Sequence, residues 1–353
     1  MKLWGGGIEK ARIHLVQCMN CAFVYNQSFD LAQIQKSYSS ANYLSRKIVS
    51  ASMNKTILAI KERILSLTGK EAVFLEVAPG SGDLAANLAL DARFIYTIDP
   101  SVVSLEVSKL GNAKHIQGFF ETQKIKPILE HKVDCVIFRH LLEHIYTPAL
   151  FLKEVVDLLE ENGLIYVEVP NIDEFIDNKR FYEIFNDHCG YYQKSVLINH
   201  LSKLGCELID ELFLYENQHM GLFFKKKKAT KQTHLTPCFY DFKKDFDEAI
   251  ARLNDELKAY SNIAIYGAGA HANSLLCFLS KQNLANIQLC FDLDSRKQGR
   301  FLQHSNIAIK EPTLEHLQDV KALIIAAPLY EEEICKYIVK LGFKGKIIKT
   351  RIN

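Results

Sequence analysis

The chain has 353 residues, of which 48% are hydrophobic and 24% charged, and its formal net charge is +2. This length favours two or three domains, and the composition is typical of a globular protein with ample core. The near balance of charge predicts neither a nucleic-acid partner nor a membrane surface. The sequence lacks the roughly 18 consecutive apolar residues of a transmembrane helix, so we expect no membrane insertion.

Nine cysteines are scattered through the chain, mostly in apolar runs, and the first residues lack the apolar segment of a signal peptide. This usage favours a reducing, cytoplasmic location over a disulfide framework. One C-x-x-C pair, Cys18 and Cys21, stands out. Structural zinc needs four ligands; His14 could be a third and nothing supplies a fourth, so we expect two ordinary thiols rather than zinc.

Residues 1–45 are predicted to form a small N-terminal lobe. Apolar residues recur at helical spacing from 44 to 67, which indicates an amphipathic helix or helix pair. Strands and helices then alternate, which predicts a mostly parallel sheet with helices on both faces, over a domain at 46–228. We expect strands at 72–77, 93–98, 115–117, 133–138 and 163–169, helices at 148–159 and 195–204, and a closing hairpin at 207–215 and 221–225.

The first strand of this domain runs into a turn rich in small residues. The strand ends at Glu76, the turn follows at 78–82, and Asp83 suits the first turn of the next helix. A strand, a glycine turn and a helix N-terminus allow close approach of the backbone to a ligand. The second strand ends in Asp99, and an acid there can bind both hydroxyls of a ribose. A purely structural turn is the alternative interpretation.

Several chemically useful residues fall at the carboxyl ends of the predicted strands. In a parallel sheet these ends share one edge, where ligands bind. The sequence therefore predicts one crevice. Its candidates are Glu76, Asp99, Phe119, Arg139, His140, Pro170 and Asn171.

Residues 140–144 match H-x-x-E-H, a pattern of zinc proteases. We reject that interpretation because the motif directly follows a buried strand of a parallel sheet. His140 is expected to point toward the crevice, whereas His144 is expected to pack or to cap.

A loop after the fifth strand concentrates an acid, an imidazole and two phenols, at Asp187, His188, Tyr191 and Tyr192. His188, with Asp187 beside it, suits a general base. The alternative is a polar surface loop with aromatic anchors. Cys189 has no partner pattern that would make it a nucleophile.

Residues 229–261 are predicted to be a polar linker and a helix, and 262–353 a second strand, glycine turn and helix unit. Its turn at 267–272 reads G-x-G-x-x-A, and the next strand ends in Asp292. A second nucleotide site, such as one for NAD, is one interpretation. A turn kept for tight helix packing is the other, because about 90 residues are too few for a full dinucleotide fold.

Taken together, these motifs resemble the family of S-adenosylmethionine (SAM)-dependent sugar C-methyltransferases, which act on TDP-linked deoxysugars. The resemblance covers nearly the whole chain. It implies a class I SAM methyltransferase sheet of Rossmann-like α/β type, a zinc-binding N-terminal lobe and a smaller Rossmann-like C-terminal domain. It rests on Cys18 with Cys21, 43–45, 76–82, 139–144, 168–171, Asp187 with His188, Tyr191, Tyr192 and 267–272.

The resemblance implies roles for individual residues. His188 matches the base that removes a proton beside a ketone before the methyl group reaches carbon. The remaining candidates follow the family's catalytic and cofactor positions, and we expect no metal at the site. The catalytic candidates are His188, Asp187, Tyr43 and Tyr191, and the SAM-binding candidates are Glu76, Ala78, Gly80, Ser81, Gly82, Asp99, Pro100, Phe119, Phe120, Arg139 and His140.

Three positions and one missing cysteine pair depart from the family pattern. Ala78 replaces the first usual glycine, Phe185 a tyrosine and Asn171 a histidine, and the first cysteine pair is missing. The methyltransferase assignment survives these departures, which weaken carbon as the acceptor. We expect methylation of a nucleotide-linked sugar or surface-glycan precursor, with carbon slightly favoured and His188 as the base. O-methylation of a glycan, a non-catalytic SAM- or sugar-binding protein and a nicotinamide oxidoreductase remain alternatives.

Overall fold

The computed structural model describes residues 12–32, 50–100, 107, 109–228, 233–303 and 305–350. The predicted catalytic Tyr43 lies outside these residues. The chain forms two compact units. The larger unit comprises Leu15–Ile172 and Asp187–Phe239, and the smaller unit contains Asp173–Asn186 together with the chain from Tyr240 onwards.

A seven-stranded sheet forms the centre of the larger unit, in the order β5-β4-β3-β6-β7-β10-β9. The strands from β5 to β7 are parallel, and β10 is antiparallel to both of its neighbours. The predicted parallel sheet with a closing hairpin is thus confirmed. Its strands are β3 (Val73–Val77), β4 (Phe94–Asp99), β5 (Ala113–Gln117), β6 (Cys135–Arg139), β7 (Leu164–Pro170), β9 (Cys206–Leu214) and β10 (His219–Lys226).

Helices cover both faces of this sheet. On one face α1 (Ala51–Thr68) and α2 (Asp83–Leu88) pack their apolar residues against β3 and β4. On the other, α4 (Pro148–Leu158) and α6 (Lys194–Lys203) enclose a second core. The short helix α3 (Thr122–Ile125) precedes β6. With both faces covered, the carboxyl edge of the parallel strands is the part of the sheet open to a ligand.

A small antiparallel sheet joins the N-terminal residues to the loop after β7. Its strands are β1 (Leu15–Gln17), β2 (Val24–Asn26) and β8 (Gly190–Tyr191), with β2 between the other two. Cys18 and Cys21 lie in the turn between β1 and β2. The described part of the predicted N-terminal lobe from Leu15 on is therefore built into the larger unit.

The smaller unit contains a five-stranded parallel sheet in the order β13-β12-β11-β14-β15. This confirms a second Rossmann-like unit at the C-terminal end. Its strands are β11 (Ile263–Tyr266), β12 (Ile287–Phe291), β13 (Ala308–Lys310), β14 (Ala322–Ile325) and β15 (Lys346–Lys349). Its helices are α7 (Phe242–Leu257), α8 (Ala270–Phe278), α9 (Lys281–Ala285), α10 (Leu314–Leu317) and α11 (Glu331–Lys340), and α5 (Ile172–Asp177) begins at the boundary between the units.

Among the described helices, none is both long and apolar enough to cross a membrane.

Candidate functional site

The turn between β3 and α2 has the backbone that its small residues predict. Ala78, Gly80 and Gly82 all have positive φ, at 53°, 58° and 78°. A Cβ at Gly82 would lie only 2.3 Å from Val107 Cγ2, so this position requires glycine. Ala78 tolerates the left-handed region at a cost of about 1–2 kcal/mol, and its N–H donates to Ile98 O at 2.8 Å. The chain can therefore approach a ligand closely along this turn.

Two acids flank the turn, as predicted. Glu76 on β3 is 3% exposed, and burial raises its pKa to about 7, although Arg139 opposes the rise. Its Oε2 has no hydrogen-bond partner among the described residues. Asp99 ends β4 and remains partly exposed. One carboxyl group thus lies on β3 just before the turn, and the other ends the neighbouring strand β4.

Ser81 and Asp83 stabilise the start of α2. Ser81 Oγ donates to Asp83 Oδ2 at 2.7 Å, and Asp83 lies in the first turn of the helix. The negative charge meets the positive end of the helix dipole, as expected from the sequence.

The predicted aromatic contacts lie beyond β5. Phe119 is 70% exposed, whereas Phe120 packs edge-on against Phe151, with ring centroids 5.5 Å apart. Pro100 follows Asp99 directly and is exposed. Phe119 is therefore available to stack on a ligand, and Phe120 is partly committed to the core.

A second group of side chains surrounds the buried Glu168 on β7. Arg139 Nε binds Glu168 Oε2 at 2.6 Å, and Tyr166 OH donates to the same oxygen at 3.2 Å. His140 Nε2 lies 3.1 Å and His219 Nδ1 3.4 Å from Glu168 Oε1. Burial alone would raise the pKa of Glu168, but Arg139 and then His140 hold it well below its usual value. We name Arg139, His140, Tyr166, Glu168 and His219 the Glu168 cluster.

Two residues that were predicted to bind the cofactor, Arg139 and His140, belong to this cluster. Arg139 and His140 stand at the crevice edge of β6, as expected, but both side chains contact Glu168. Both predicted cofactor residues are thus part of an internal charge cluster as well.

A third group surrounds His188, which is 7% exposed. Its ring packs edge-on against His144, with centroids 4.7 Å apart, and lies 5.7 Å from the ring of Tyr191. His144 Nδ1 lies 2.8 Å from the backbone oxygen of Asp187 and 3.7 Å from its Oδ2. We name Glu143, His144, Asp187 and His188 the His188 cluster.

Glu143 is the buried carboxyl group of this cluster. It is 2% exposed, and burial raises the pKa of its carboxyl group to about 7, with His144 opposing the rise. Glu143 Oε2 has no hydrogen-bond partner within the described ranges. Its backbone oxygen accepts from Cys189 N–H at 2.8 Å. A buried carboxyl group beside two imidazoles can hold or exchange a proton with them.

The H-x-x-E-H residues do not form a protease helix, because Leu142–His144 is a single 3₁₀ turn. His144 packs against His188, which places it in the candidate site itself. Cys189 is buried, and burial raises its thiol pKa to about 12, which does not suit a nucleophile.

The glycine turn of the smaller unit is used structurally. Ala268 N–H donates to Asp292 Oδ2 at 2.8 Å, and Lys297 Nζ binds the same oxygen at 2.9 Å. A Cβ on Gly267 would lie 3.0 Å from Ala327 Cβ. The acid that an NAD ribose would need is thus engaged by protein groups, and the turn packs closely against the end of β14.

Sequence reasoning missed Glu143, Glu168 and His219 as parts of the candidate site. Glu168 carried a local signal, since it is a lone acid in the apolar run of 164–169. Glu143 carried one too, because it belongs to the rejected motif. His219 opens a strand whose partner, β7, is distant in sequence, and no local pattern marks it.

Comparison with known families gives two matches along the chain. Residues 50–211 match the family described as "Methyltransferase domain", and residues 224–348 match the one described as "C-methyltransferase C-terminal domain". The chain therefore contains a SAM-dependent methyltransferase domain, followed by a domain of the kind found at the end of C-methyltransferases.

Among curated proteins, the C-methyltransferase NovU of Streptomyces niveus is 24% identical over 198 residues, which cover 49% of this chain and 46% of that protein. The chain thus spans just under half the length of this relative. Solved structures similar to this chain include an S-adenosylmethionine-dependent methyltransferase from Clostridium acetobutylicum (12% identity, 51% of this chain, 93% of that chain, TM-score 0.40). Another is the N-methyltransferase NodS from Bradyrhizobium japonicum with S-adenosyl-L-homocysteine (10% identity, 55% of this chain, 97% of that chain, TM-score 0.40).

Proposed function

We propose that this protein is a cytoplasmic enzyme that transfers a methyl group from SAM to a carbon atom of a nucleotide-linked keto-sugar, with His188 as the base. One observation supports this most strongly. A buried imidazole, His188, lies in the same unit as the glycine turn and the two flanking acids. The sugar-linked acceptor comes from the family resemblance, and the NovU relative supports carbon as the acceptor atom.

The residues of the turn fit SAM. Glu76 presents a buried oxygen without a partner among the described residues, which suits a ligand's ammonium group. Glycine at position 82 lets the turn keep its positive φ beside Val107, and Asp99 suits the ribose hydroxyls. When bound, SAM supplies an electrophilic methyl group on a sulfonium. The chain's task is then to orient the acceptor, which accounts for much of the rate of such reactions.

The His188 cluster supplies the acid–base chemistry. His188 takes the proton from the carbon beside the ketone, and the electron pair left behind attacks the methyl group as its bond to sulfur breaks. His144 packs against the ring of His188, and the backbone oxygen of Asp187 lies beside His144 Nδ1. Glu143 offers a place for a proton close to both imidazoles. General bases of this kind contribute about 10²- to 10⁴-fold to the rate.

O-methylation of a glycan hydroxyl is the second candidate. Asn171, which replaces a histidine of the family pattern, donates from Nδ2 to Asn217 O at 3.0 Å. An amide held in this way does no acid–base chemistry, so the site has fewer proton-transfer groups than the family pattern implies. A hydroxyl acceptor needs only one base.

Solvent exchange distinguishes the two candidates. A keto-sugar nucleotide is incubated with the protein in D₂O without SAM, and deuterium at the carbon beside the ketone is measured by NMR. The carbon mechanism predicts exchange by the wild type and loss of at least about 100-fold in exchange and methyl transfer in His188→Gln. SAM affinity, measured by calorimetry, should stay unchanged.

His234→Gln is the control, because His234 is an exposed histidine of the same unit. Full activity in His188→Gln would remove the base assignment. Methyl transfer without any exchange would favour oxygen as the acceptor, and no SAM binding at millimolar concentration would end the proposal.

A further inference from the structure

Two imidazoles converge on one oxygen of the buried Glu168. His140 Nε2 lies 3.1 Å and His219 Nδ1 3.4 Å from Glu168 Oε1, and the two rings meet edge-on with centroids 4.6 Å apart. One ligand atom from each of the three residues lies within 4.8 Å of the others. Two imidazoles and one carboxylate thus point their donor atoms at one small volume.

The other carboxylate oxygen is already engaged. Arg139 Nε at 2.6 Å and Tyr166 OH at 3.2 Å bind Oε2, and they fix the orientation of Glu168. Oε1 faces the two imidazoles, 3.1 Å from His140 Nε2 and 3.4 Å from His219 Nδ1. Glu168 thus presents one oriented oxygen to both imidazole nitrogens.

The spacing matches a metal site. Zinc bonds of about 2.0–2.2 Å to nitrogen and oxygen place adjacent ligand atoms of a tetrahedron about 3.4 Å apart. The distances of 3.1 and 3.4 Å to Oε1 are close to this value. From the sequence we expect no metal, because only the folded chain brings Glu168 and His219 together.

Two of the three residues lie on neighbouring strands, and the third directly follows a strand. His140 follows β6 directly, and its N–H donates to Glu168 O on β7 at 2.9 Å. His219 opens β10 and pairs with Pro170 of β7. His140 also has φ of 50°, a conformation that is uncommon outside glycine and that often marks functional positions. Sites held on strands are more precise than sites on loops.

We propose that His140, Glu168 and His219 bind a divalent transition metal ion, with Zn²⁺ as the preferred ion. A donor set of two imidazoles and one carboxylate is typical of Zn²⁺ and Fe²⁺ sites that keep positions open for water or a substrate oxygen. Mg²⁺ and Ca²⁺ are disfavoured because they prefer oxygen ligands. This inference does not rest on the proposed methyl transfer.

The His188 cluster is the competing location. Glu143, His144 and His188 also bring one ligand atom each within 4.8 Å of one another. The Glu168 cluster is preferred because its carboxylate is oriented by two partners and its distances to both imidazoles are those of metal ligands. The thiols of Cys18 and Cys21 are a further place where a soft metal could bind.

Cobalt serves as the spectroscopic probe, because Co²⁺ takes the place of Zn²⁺ and absorbs visible light. The metal-free full-length protein is titrated with Co²⁺, and Zn²⁺ is then used to displace it. We expect one equivalent bound with nitrogen and oxygen ligation, without the near-ultraviolet absorption of a cobalt–thiolate bond. His219→Gln and His140→Gln should each weaken binding at least about 100-fold.

Two controls separate the competing locations. His188→Gln and Cys18→Ser/Cys21→Ser should bind Co²⁺ like the wild type, and so should His234→Gln. Circular dichroism and the melting temperature of each metal-free variant show whether it is folded, so loss of binding in a folded variant supports the site. Wild-type affinity weaker than 1 mM would overturn the proposal, as would binding that depends on His188 or on the thiols.

Discussion

At the scale of single residues, Gly82 is the position where the turn depends most on glycine. Gly82→Ala combines a φ of 78° with a Cβ 2.3 Å from Val107 Cγ2. We expect a loss of about 1–3 kcal/mol in unfolding free energy and at least about tenfold weaker SAM binding, because the turn must shift. Urea denaturation and calorimetry measure the two effects.

Gly69→Ala is the matched control for this change. Gly69 has a similar φ of 83°, but a Cβ there meets nothing within 4 Å. The Gly69→Ala variant should lose only about 1–2 kcal/mol of unfolding free energy, from the strained backbone, and should bind SAM like the wild type. Equal SAM affinity in the two variants would show that the turn does not contact the ligand.

Glu143 makes stability depend on pH. Burial raises its pKa from 4.5 to about 7, so the folded protein holds a proton that the unfolded chain releases. Folding stability from this group is therefore greatest below pH 4.5 and declines until about pH 7. The loss is up to about 3 kcal/mol, since one pKa unit corresponds to about 1.4 kcal/mol.

Glu143→Gln removes this dependence. The unfolding free energy of the variant, relative to wild type, should rise as pH increases from 4.5 to 7.5. Urea denaturation across this range measures it. Glu62→Gln, which changes an exposed acid on α1, should show a flat difference. A flat difference for Glu143→Gln too would mean that the carboxyl group is ionised in the folded protein.

At the scale of elements, the sheet and the glycine turn could be predicted because their signals are local. Buried apolar runs such as Val73–Val77 mark strands, and Gly80 with Gly82 marks the turn. The pairing of β2 with β8 could not be predicted. It joins Val24 to Tyr191 across nearly half of the chain, and strands of two or three residues show no periodicity.

This pairing holds the loop that carries His188. Val24 is fully buried and lies opposite Tyr191, and the ring of Phe23 packs against Tyr192 at 5.2 Å. Tyr192 OH in turn donates to Leu142 O at 3.1 Å. The N-terminal hairpin therefore helps to hold the loop that carries His188, the proposed base.

Val24→Ala tests this role. We expect a loss of about 1–3 kcal/mol in unfolding free energy, from the cavity left at a fully buried site. Methyl transfer should slow severalfold below the melting temperature, with unchanged SAM affinity. Tyr25→Ala, at the exposed neighbour, should change the rate little. A slower rate caused only by weaker SAM binding would contradict the positioning role.

At the scale of the whole molecule, the chain crosses between its two units more often than the sequence suggests. Residues 173–186 lie between β7 and His188 in sequence but belong to the smaller unit. No composition change marks this excursion. Contacts within the folded smaller unit hold this segment. Arg180 pairs with Glu174 and Glu183, and Glu183 accepts from His271 Nε2 at 3.0 Å.

Arg180 is the centre of these contacts and is 1% exposed. Arg180→Met should leave two buried carboxylates without their cation and cost the smaller unit about 3–5 kcal/mol. Calorimetry should show a lower melting transition for the smaller unit. The transition that shifts upward on SAM addition, which belongs to the larger unit, should stay in place.

Lys179→Met provides the comparison. Lys179 forms an exposed pair with Glu248 at 2.8 Å, and such pairs contribute about 0–1 kcal/mol. Its loss should leave both transitions nearly unchanged. If Arg180→Met moved the SAM-sensitive transition as far as the other, the two units would melt as one cooperative body, and 173–186 would stabilise the SAM site as well as the smaller unit.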